Sequence, residues 1–202
     1  MKILNLYSGI GGNRKNWGND HEIWAIENNE EIADIYHDFF PKDKVVIADA
    51  HQYLLNHYKE FDFIWSSPPC LTHSQLRKSL SMASGAKAVY PDMKLYEEIL
   101  LLQHYFKGKY VVENVVSFYK PLIIPQELQR HYFWANFYIT KKEFETEKTC
   151  SINDRERLSK LFGFNLDNYS GIDKRQVLRN CVLPELGLHI FKEAFREQNK
   201  LI

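Results

Sequence analysis

The sequence predicts an α/β fold of three layers around a mostly parallel sheet, and three observations carry that prediction. Apolar runs at 2–7, 22–26, 44–48 and 61–65 read as short strands. The stretch 91–106 sets Leu95, Ile99, Leu102 and Phe106 at spacings of three and four, the period of a helix. The strands stop at a glycine turn, a Glu, an Asp and a proline pair, residue types suited to the carboxyl edge of a parallel sheet, where ligands of such folds bind.

Taken in order, the first strand runs straight into Ser8-Gly9-Ile10-Gly11-Gly12. Glycines at such a turn accept positive φ and let the backbone approach a ligand closely, so a small-molecule cofactor fits here. The second strand ends in Glu27, about one βαβ unit downstream, where an acidic residue typically hydrogen-bonds ribose hydroxyls. The third ends in Asp49. Glu27 and Asp49 would serve equally as helix caps or solvated strand ends.

The fourth run, Phe61-Asp62-Phe63-Ile64-Trp65, is closed by Ser66-Ser67-Pro68-Pro69-Cys70. Proline cannot donate to a sheet ladder, so the strand stops abruptly and presents Cys70, a soft nucleophile, at the sheet edge. A small buried apolar cysteine is the plainer alternative. Residues 71–84 are polar and poorly periodic, as a loop would be, and 109–112 form an apolar strand leading into Glu113-Asn114-Val115. Residues 132–139, aromatic and alternating, add a strand to the later half of the sheet. An apolar stretch at 158–164 packs on the core or forms an interface, and an amphipathic helix runs through about 195.

Composition bounds the function. With 26 acidic and 26 basic residues, any surface for nucleic acid is a local patch. A hydrophobic content of 45% and the lack of a Pro/Gly/Ser-rich linker predict one domain over 1–202. Cys70, Cys150 and Cys181 have no paired or metal-ligand spacing, and the histidines form no spaced cluster, so no metal is expected. Neither a signal-like start nor a long apolar span is present, which predicts a cytoplasmic protein that does not enter membranes.

The order of Tyr7-Ser8-Gly9-Ile10-Gly11-Gly12, a strand ending in Glu27, a strand ending in Asp49, Pro68-Pro69-Cys70 and Val112-Glu113-Asn114-Val115 resembles the cytosine-5 DNA methyltransferases, especially their small phage-type members. The resemblance implies a Rossmann-like class I methyltransferase fold. It also implies S-adenosylmethionine as methyl donor, with S-adenosylhomocysteine as product, and double-stranded DNA as partner. Cys70 would attack carbon 6 of a cytosine extruded from the helix, making carbon 5 nucleophilic. Glu113 would protonate or hydrogen-bond ring nitrogen 3. Arg130, the last position of Gln126-Glu127-Leu128-Gln129-Arg130, would reach the base and the active-site carboxylate, Leu128 standing where the family has an arginine.

The same resemblance places Tyr7, Ser8, Gly9, Gly11, Gly12, Glu27, Asn28, Asp49, Ala50, Pro68, Asn180 and Val182 around the cofactor. Glu27 would hold the ribose and Asp49 the adenine amino group. Pro69, His73, Ser74, Arg77 and Asn114 would touch the substrate, residues 71–84 closing as a lid. Two departures stand out: Arg179 occupies a usual glycine position, and only about 140–173 is left for a reduced target-recognition region. These features leave room for an RNA cytosine-5 methyltransferase, or for a catalytically idle cofactor- or DNA-binding subunit. A dinucleotide-binding enzyme is disfavoured, since the full Gly-x-Gly-x-x-Gly spacing is missing. A restriction or specificity partner and the oligomeric state stay open.

Overall fold

The computed structural model describes residues 1–75, 79, 87–144 and 154–196. Four parallel strands are the predicted ones: β1 (Lys2–Leu6), β2 (Glu22–Glu27), β3 (Lys44–Ile47) and β4 (Phe63–Ser66). A fifth, β5 (Lys109–Val115), lies parallel to β4 and continues past Val112, so Glu113 sits within the strand rather than after it. A hairpin follows, β6 (Gln126–Leu128) and β7 (His131–Ala135), with β7 antiparallel to both β5 and β6. The sheet order is β3-β2-β1-β4-β5-β7-β6. The last strand ends at Ala135, short of the expected 139, although Phe137 and Ile139 remain buried.

Helices cover both faces. On one, α1 (Glu30–Phe39), α4 (Arg155–Phe162), α5 (Lys174–Arg179) and α6 (Pro184–Phe195) bury Ile35, Leu158, Phe162, Leu178, Leu186 and Ile190 against Ile3, Phe63, Trp65 and Val111. On the other, α2 (Ala50–His57) and α3 (Lys94–Tyr105) set Leu54, Leu95, Ile99 and Leu102 against Leu4, Leu6, Ile64 and Val112. Neighbouring strand residues thus serve opposite layers, as the period of two requires. The result is the predicted three-layer α/β fold with a mixed, mostly parallel sheet.

Local chemistry sets the helix ends. The Asn29 side chain accepts from the Ile32 amide at 2.9 Å and opens α1, with Glu30 and Glu31 in its first turn. Asp49 caps α2 and Asp173 caps α5 in the same way. Pro184 starts α6 at a position whose amide has no helical partner.

The stretch expected at 158–164 packs on the core: Leu158, Phe162 and Phe164 are all buried. Arg179 is explained by position. It and Arg175 converge on the buried Asp154 carboxylate, at 2.6 and 2.8 Å, which ties α5 to the segment leading into α4. Among the described residues, no helix is long and apolar enough to cross a membrane, and no cluster of His, Cys, Asp and Glu could hold a metal ion.

Candidate active site

The sheet reverses its winding between β1 and β4, which are neighbours although β2 and β3 lie between them in sequence. Parallel sheets bind ligands in the crevice outside such a switch point. Here that crevice opens between Tyr7–Gly9 on the β1 side and Ser66–Cys70 on the β4 side.

On the β1 side the chain turns sharply. Tyr7 and Gly9 both have positive φ, +54° and +52°, and the Gly11 amide donates to the Ser8 carbonyl at 2.9 Å. The three glycines differ in what surrounds them. A Cβ on Gly9 would meet nothing within 4 Å, whereas one on Gly11 would strike the Phe40 and Tyr36 rings. On Gly12 it would lie 2.7 Å from both the Cys181 Cβ and the Val182 carbonyl oxygen. Gly11 and Gly12 therefore let α1 and the segment with Cys181 and Val182 close on the loop, and Gly9 leaves open space.

Glu27 locks the loop from β2. One carboxylate oxygen accepts from the Gly9 amide at 3.0 Å, the other from the amides of Asn28 and Asn29, each at 3.0 Å. Asp49 is exposed, and one of its oxygens is spent on the Gln52 amide at 2.8 Å, beside the buried Ala50. Val182 is buried next to Gly12, while Asn180 lies exposed at the end of α5, its side chain accepting from Gln176 at 2.7 Å. The Ser8 hydroxyl is buried without a hydrogen-bond partner. An orphaned hydroxyl beside an open glycine is what an absent polar ligand leaves behind, so the loop fits a cofactor bearing a carboxylate or amino group.

On the β4 side, Pro68 is buried, Pro69 exposed and Cys70 half-buried. The Cys70 carbonyl accepts from the amides of His73 and Ser74, both at 3.0 Å, which fixes the turn behind the thiol. Burial pushes the Cys70 thiol pKa up, and the facing charge of Glu113 adds to it. Asn114, one residue along β5, is buried and tied to the turn that carries the thiol. Its Nδ2 donates to the Pro68 carbonyl at 2.9 Å and its Oδ1 accepts from the Val115 amide at 3.0 Å.

The partner of Glu113 is His131, whose Nδ1 lies 2.6 Å from Oε1. Register explains the pairing: Glu113 is opposite Phe133 and Val115 opposite His131, so Glu113 and His131 are diagonal neighbours on one face. Arg130, the residue expected there, is exposed in the turn between β6 and β7, beside Gln129 with φ +56°. Leu128 is buried in the core, where an arginine would be stranded.

The lid candidates are partly folded onto the protein. His73 is buried, with its Nδ1 2.6 Å from the Tyr119 hydroxyl, and burial lowers its pKa, which favours the neutral ring. Ser74 is half-buried and bridges Ser117. Arg77 lies outside the described residues.

Four residues of the crevice, His51, Ser66, Glu98 and His131, were not anticipated. Glu98 on α3 is fully buried and gathers Tyr7, Ser66 and His51. Its signal is present in the sequence, since it falls three after Leu95 and four before Leu102, inside the apolar stripe of the helix. His131 has no such signal, because its contact depends on strand register.

Residues 1–122 match the C-5 cytosine-specific DNA methylase family. Among solved structures, the chain is similar to the Entamoeba histolytica methyltransferase EhMeth, with 12% identity over 96% of this chain and 98% of that one and a TM-score of 0.54. It is also similar to a mutant of DNMT2 from Spodoptera frugiperda, with 28% identity over 56% of this chain and 35% of that one and a TM-score of 0.37. A hypothetical protein of Thermus thermophilus shares 16% identity over 66% of this chain and 73% of that one, with a TM-score of 0.44. No curated protein matches the chain significantly. The EhMeth likeness agrees with the fold.

Proposed function

The chain belongs to the C-5 cytosine-specific DNA methylase family, and on that premise we propose that it methylates carbon 5 of a cytosine rotated out of double-stranded DNA, with Cys70 as covalent nucleophile. The observation that supports this most is the meeting of Cys70 and Glu113 at the carboxyl ends of the adjacent strands β4 and β5, close enough for the Glu113 charge to act on the thiol.

S-Adenosylmethionine, when bound, supplies an electrophilic methyl group. Tyr7, Ser8, Gly9, Glu27, Asn28, Asp49, Ala50 and Pro68 would hold it, Ser8 through its unpartnered hydroxyl and Gly9 through its open face. Gly11 and Gly12 act by letting α1 and the segment with Asn180 and Val182 close in. The Cys70 thiol would give up its proton to solvent and its sulfur would add to carbon 6 while Glu113 gives a proton or hydrogen bond to nitrogen 3, so that negative charge does not build on the ring. The electron pair at carbon 5 would then be free to take the donor's methyl group, S-adenosylhomocysteine being the leaving group. Restoring the aromatic ring requires that the carbon 5 proton pass to water, that the Cys70 sulfur leave as the thiolate, and that nitrogen 3 return its proton to Glu113.

His131 is placed to hold the proton on Glu113 or return it. Pro69, His73, Ser74, Arg77 and Asn114 would touch the substrate, Asn114 also holding the Pro68 carbonyl, and Arg130 would reach the base. The chain works as one methyltransferase domain of the small phage type, in which 140–173 does the work of a target-recognition region.

Expression in cells free of cytosine methylation, followed by mass spectrometry of the DNA nucleosides, should reveal 5-methyldeoxycytidine. Cys70→Ala should abolish it while S-adenosylhomocysteine binding survives. Full methylation by that variant would overturn the covalent scheme, and methylation confined to RNA would move the substrate class.

A further inference from the structure

We propose that Glu98 is a positioning residue for the cofactor crevice: a buried carboxylate that, with the His51 imidazolium as its counter-charge, fixes the glycine loop and the Pro-Pro-Cys segment relative to one another. The inference rests on the methyltransferase reading of the crevice.

Glu98 is completely buried, and a carboxylate is kept there only when hydrogen bonds and a counter-charge offset its lost hydration. The Tyr7 hydroxyl donates to Oε1 at 2.6 Å and the Ser66 hydroxyl to Oε2 at 2.6 Å. His51 Nδ1 lies 3.0 Å from Oε1. These donors come from the ends of β1 and β4 and from the first turn of α2, so one carboxylate joins both banks of the crevice to the helix that Asp49 caps.

His51 carries the counter-charge for a geometric reason. Its Nδ1 faces Glu98 and its Nε2 faces Glu97 at 3.1 Å. With both carboxyl groups ionised each only accepts, so both ring nitrogens donate and the ring is an imidazolium. The hydrogen bond to Glu98 raises the His51 pKa, burial opposes it, the charges of Glu98 and Glu97 add to the rise, and Lys94 acts against it. The other titratable neighbours in this corner are Tyr7, which burial and Glu98 keep protonated, and, through their charges on Tyr7, Asp49 and Asp92.

The device has work to do at Tyr7. A non-glycine residue at φ +54° is in a sparsely populated region, and its hydroxyl bond to Glu98 holds the ring in that pose directly before Ser8 and Gly9. Loss of the Glu98 charge turns one of its two acceptor positions into a donor, so Tyr7 and Ser66 no longer both have an acceptor on the same group and the two banks are less firmly joined.

The test is calorimetric titration of the full chain with S-adenosylhomocysteine. Glu98→Gln should weaken binding about tenfold, the loss of roughly one charge-assisted hydrogen bond. Glu98→Gln placed on Tyr7→Phe should weaken it by much less than the product of the single effects, because the two act through one contact. In the wild type, affinity should fall several-fold as pH rises through the raised His51 pKa, the charge being present below it and lost above. His51→Gln should flatten that limb, and it and Tyr7→Phe carry the test if Glu98→Gln does not fold. Wild-type binding with Glu98→Gln unchanged, or with independent effects at Glu98 and Tyr7, overturns the inference alone. Failure of the folded wild type to bind S-adenosylhomocysteine overturns the cofactor reading and the inference with it.

Discussion

Asn114→Ala separates a residue that touches substrate from one that holds the nucleophile's backbone. Asn114 is 2% exposed, its Nδ2 donates to the Pro68 carbonyl at 2.9 Å and its Oδ1 accepts from the Val115 amide at 3.0 Å. Truncation leaves that carbonyl and that amide unsatisfied, at roughly 1–3 kcal/mol each, or about 3 kcal/mol together when water reaches part of the gap. For a chain of this length such a loss lowers Tm by about 6–12 °C. Pro68 precedes Cys70 by two residues, and a shift of about 1 Å at a reacting group costs on the order of 100-fold in rate. Thermal unfolding followed by tryptophan fluorescence and single-turnover methyl transfer on DNA would measure both. Asn114→Asp keeps the Val115 contact but sets a carboxylate against the Pro68 carbonyl, so it should be no better than alanine. A Tm within about 2 °C of wild type together with an unchanged rate would refute the reasoning.

Glu113→Gln should speed alkylation of Cys70 by iodoacetamide at fixed pH while abolishing methyl transfer, since the Glu113 charge helps raise the thiol pKa; slower alkylation, with the fold intact, would contradict the electrostatics. The glycines of the loop should respond differently. Gly12→Ala drives a methyl against Cys181 and Val182 and should lower stability by about 1–3 kcal/mol in urea unfolding, whereas Gly9→Ala meets no protein atom within 4 Å, costs about 1 kcal/mol of backbone strain at φ +52°, and should in addition weaken S-adenosylhomocysteine binding.

The parts of the fold that were legible are those in which local pattern and tertiary role agree. The runs at 2–7, 22–26 and 61–65 are short and strongly apolar because those strands are covered on both faces, the run at 44–48 forms the half-exposed edge strand, and Pro68-Pro69 can only end a ladder. Cys70, Glu113 and the glycine loop were legible as a set because their residue types share one chemistry. The partner of Glu113 was not. Placing His131 rather than Arg130 beside it requires the register of β7 on β5 and the two-residue turn that sends Arg130 to the surface, and both are long-range facts. Arg179 shows the opposite case. The resemblance expects a glycine at this position, and the structure uses the arginine in the pairing with Asp154.

The electrostatics of Cys70 and Glu113 give the proposed reaction an order of events. With Glu113 charged, the half-buried thiol is held protonated, because both burial and the neighbouring carboxylate oppose the thiolate. A thiol held protonated in this way resists alkylation and oxidation, reactions that require the thiolate. When Glu113 carries the proton needed at nitrogen 3, its charge no longer opposes the thiolate. The same proton thus prepares the ring to accept electrons and the sulfur to supply them. His131, 2.6 Å from Glu113 and itself capable of gaining or losing a proton, is the group through which that proton can be stored or replaced. The pairing of Glu113 with a histidine thus links nucleophile activation to base protonation; His131→Gln, which cannot store a proton, should slow single-turnover methyl transfer while leaving S-adenosylhomocysteine binding intact, and an unchanged rate would refute the link.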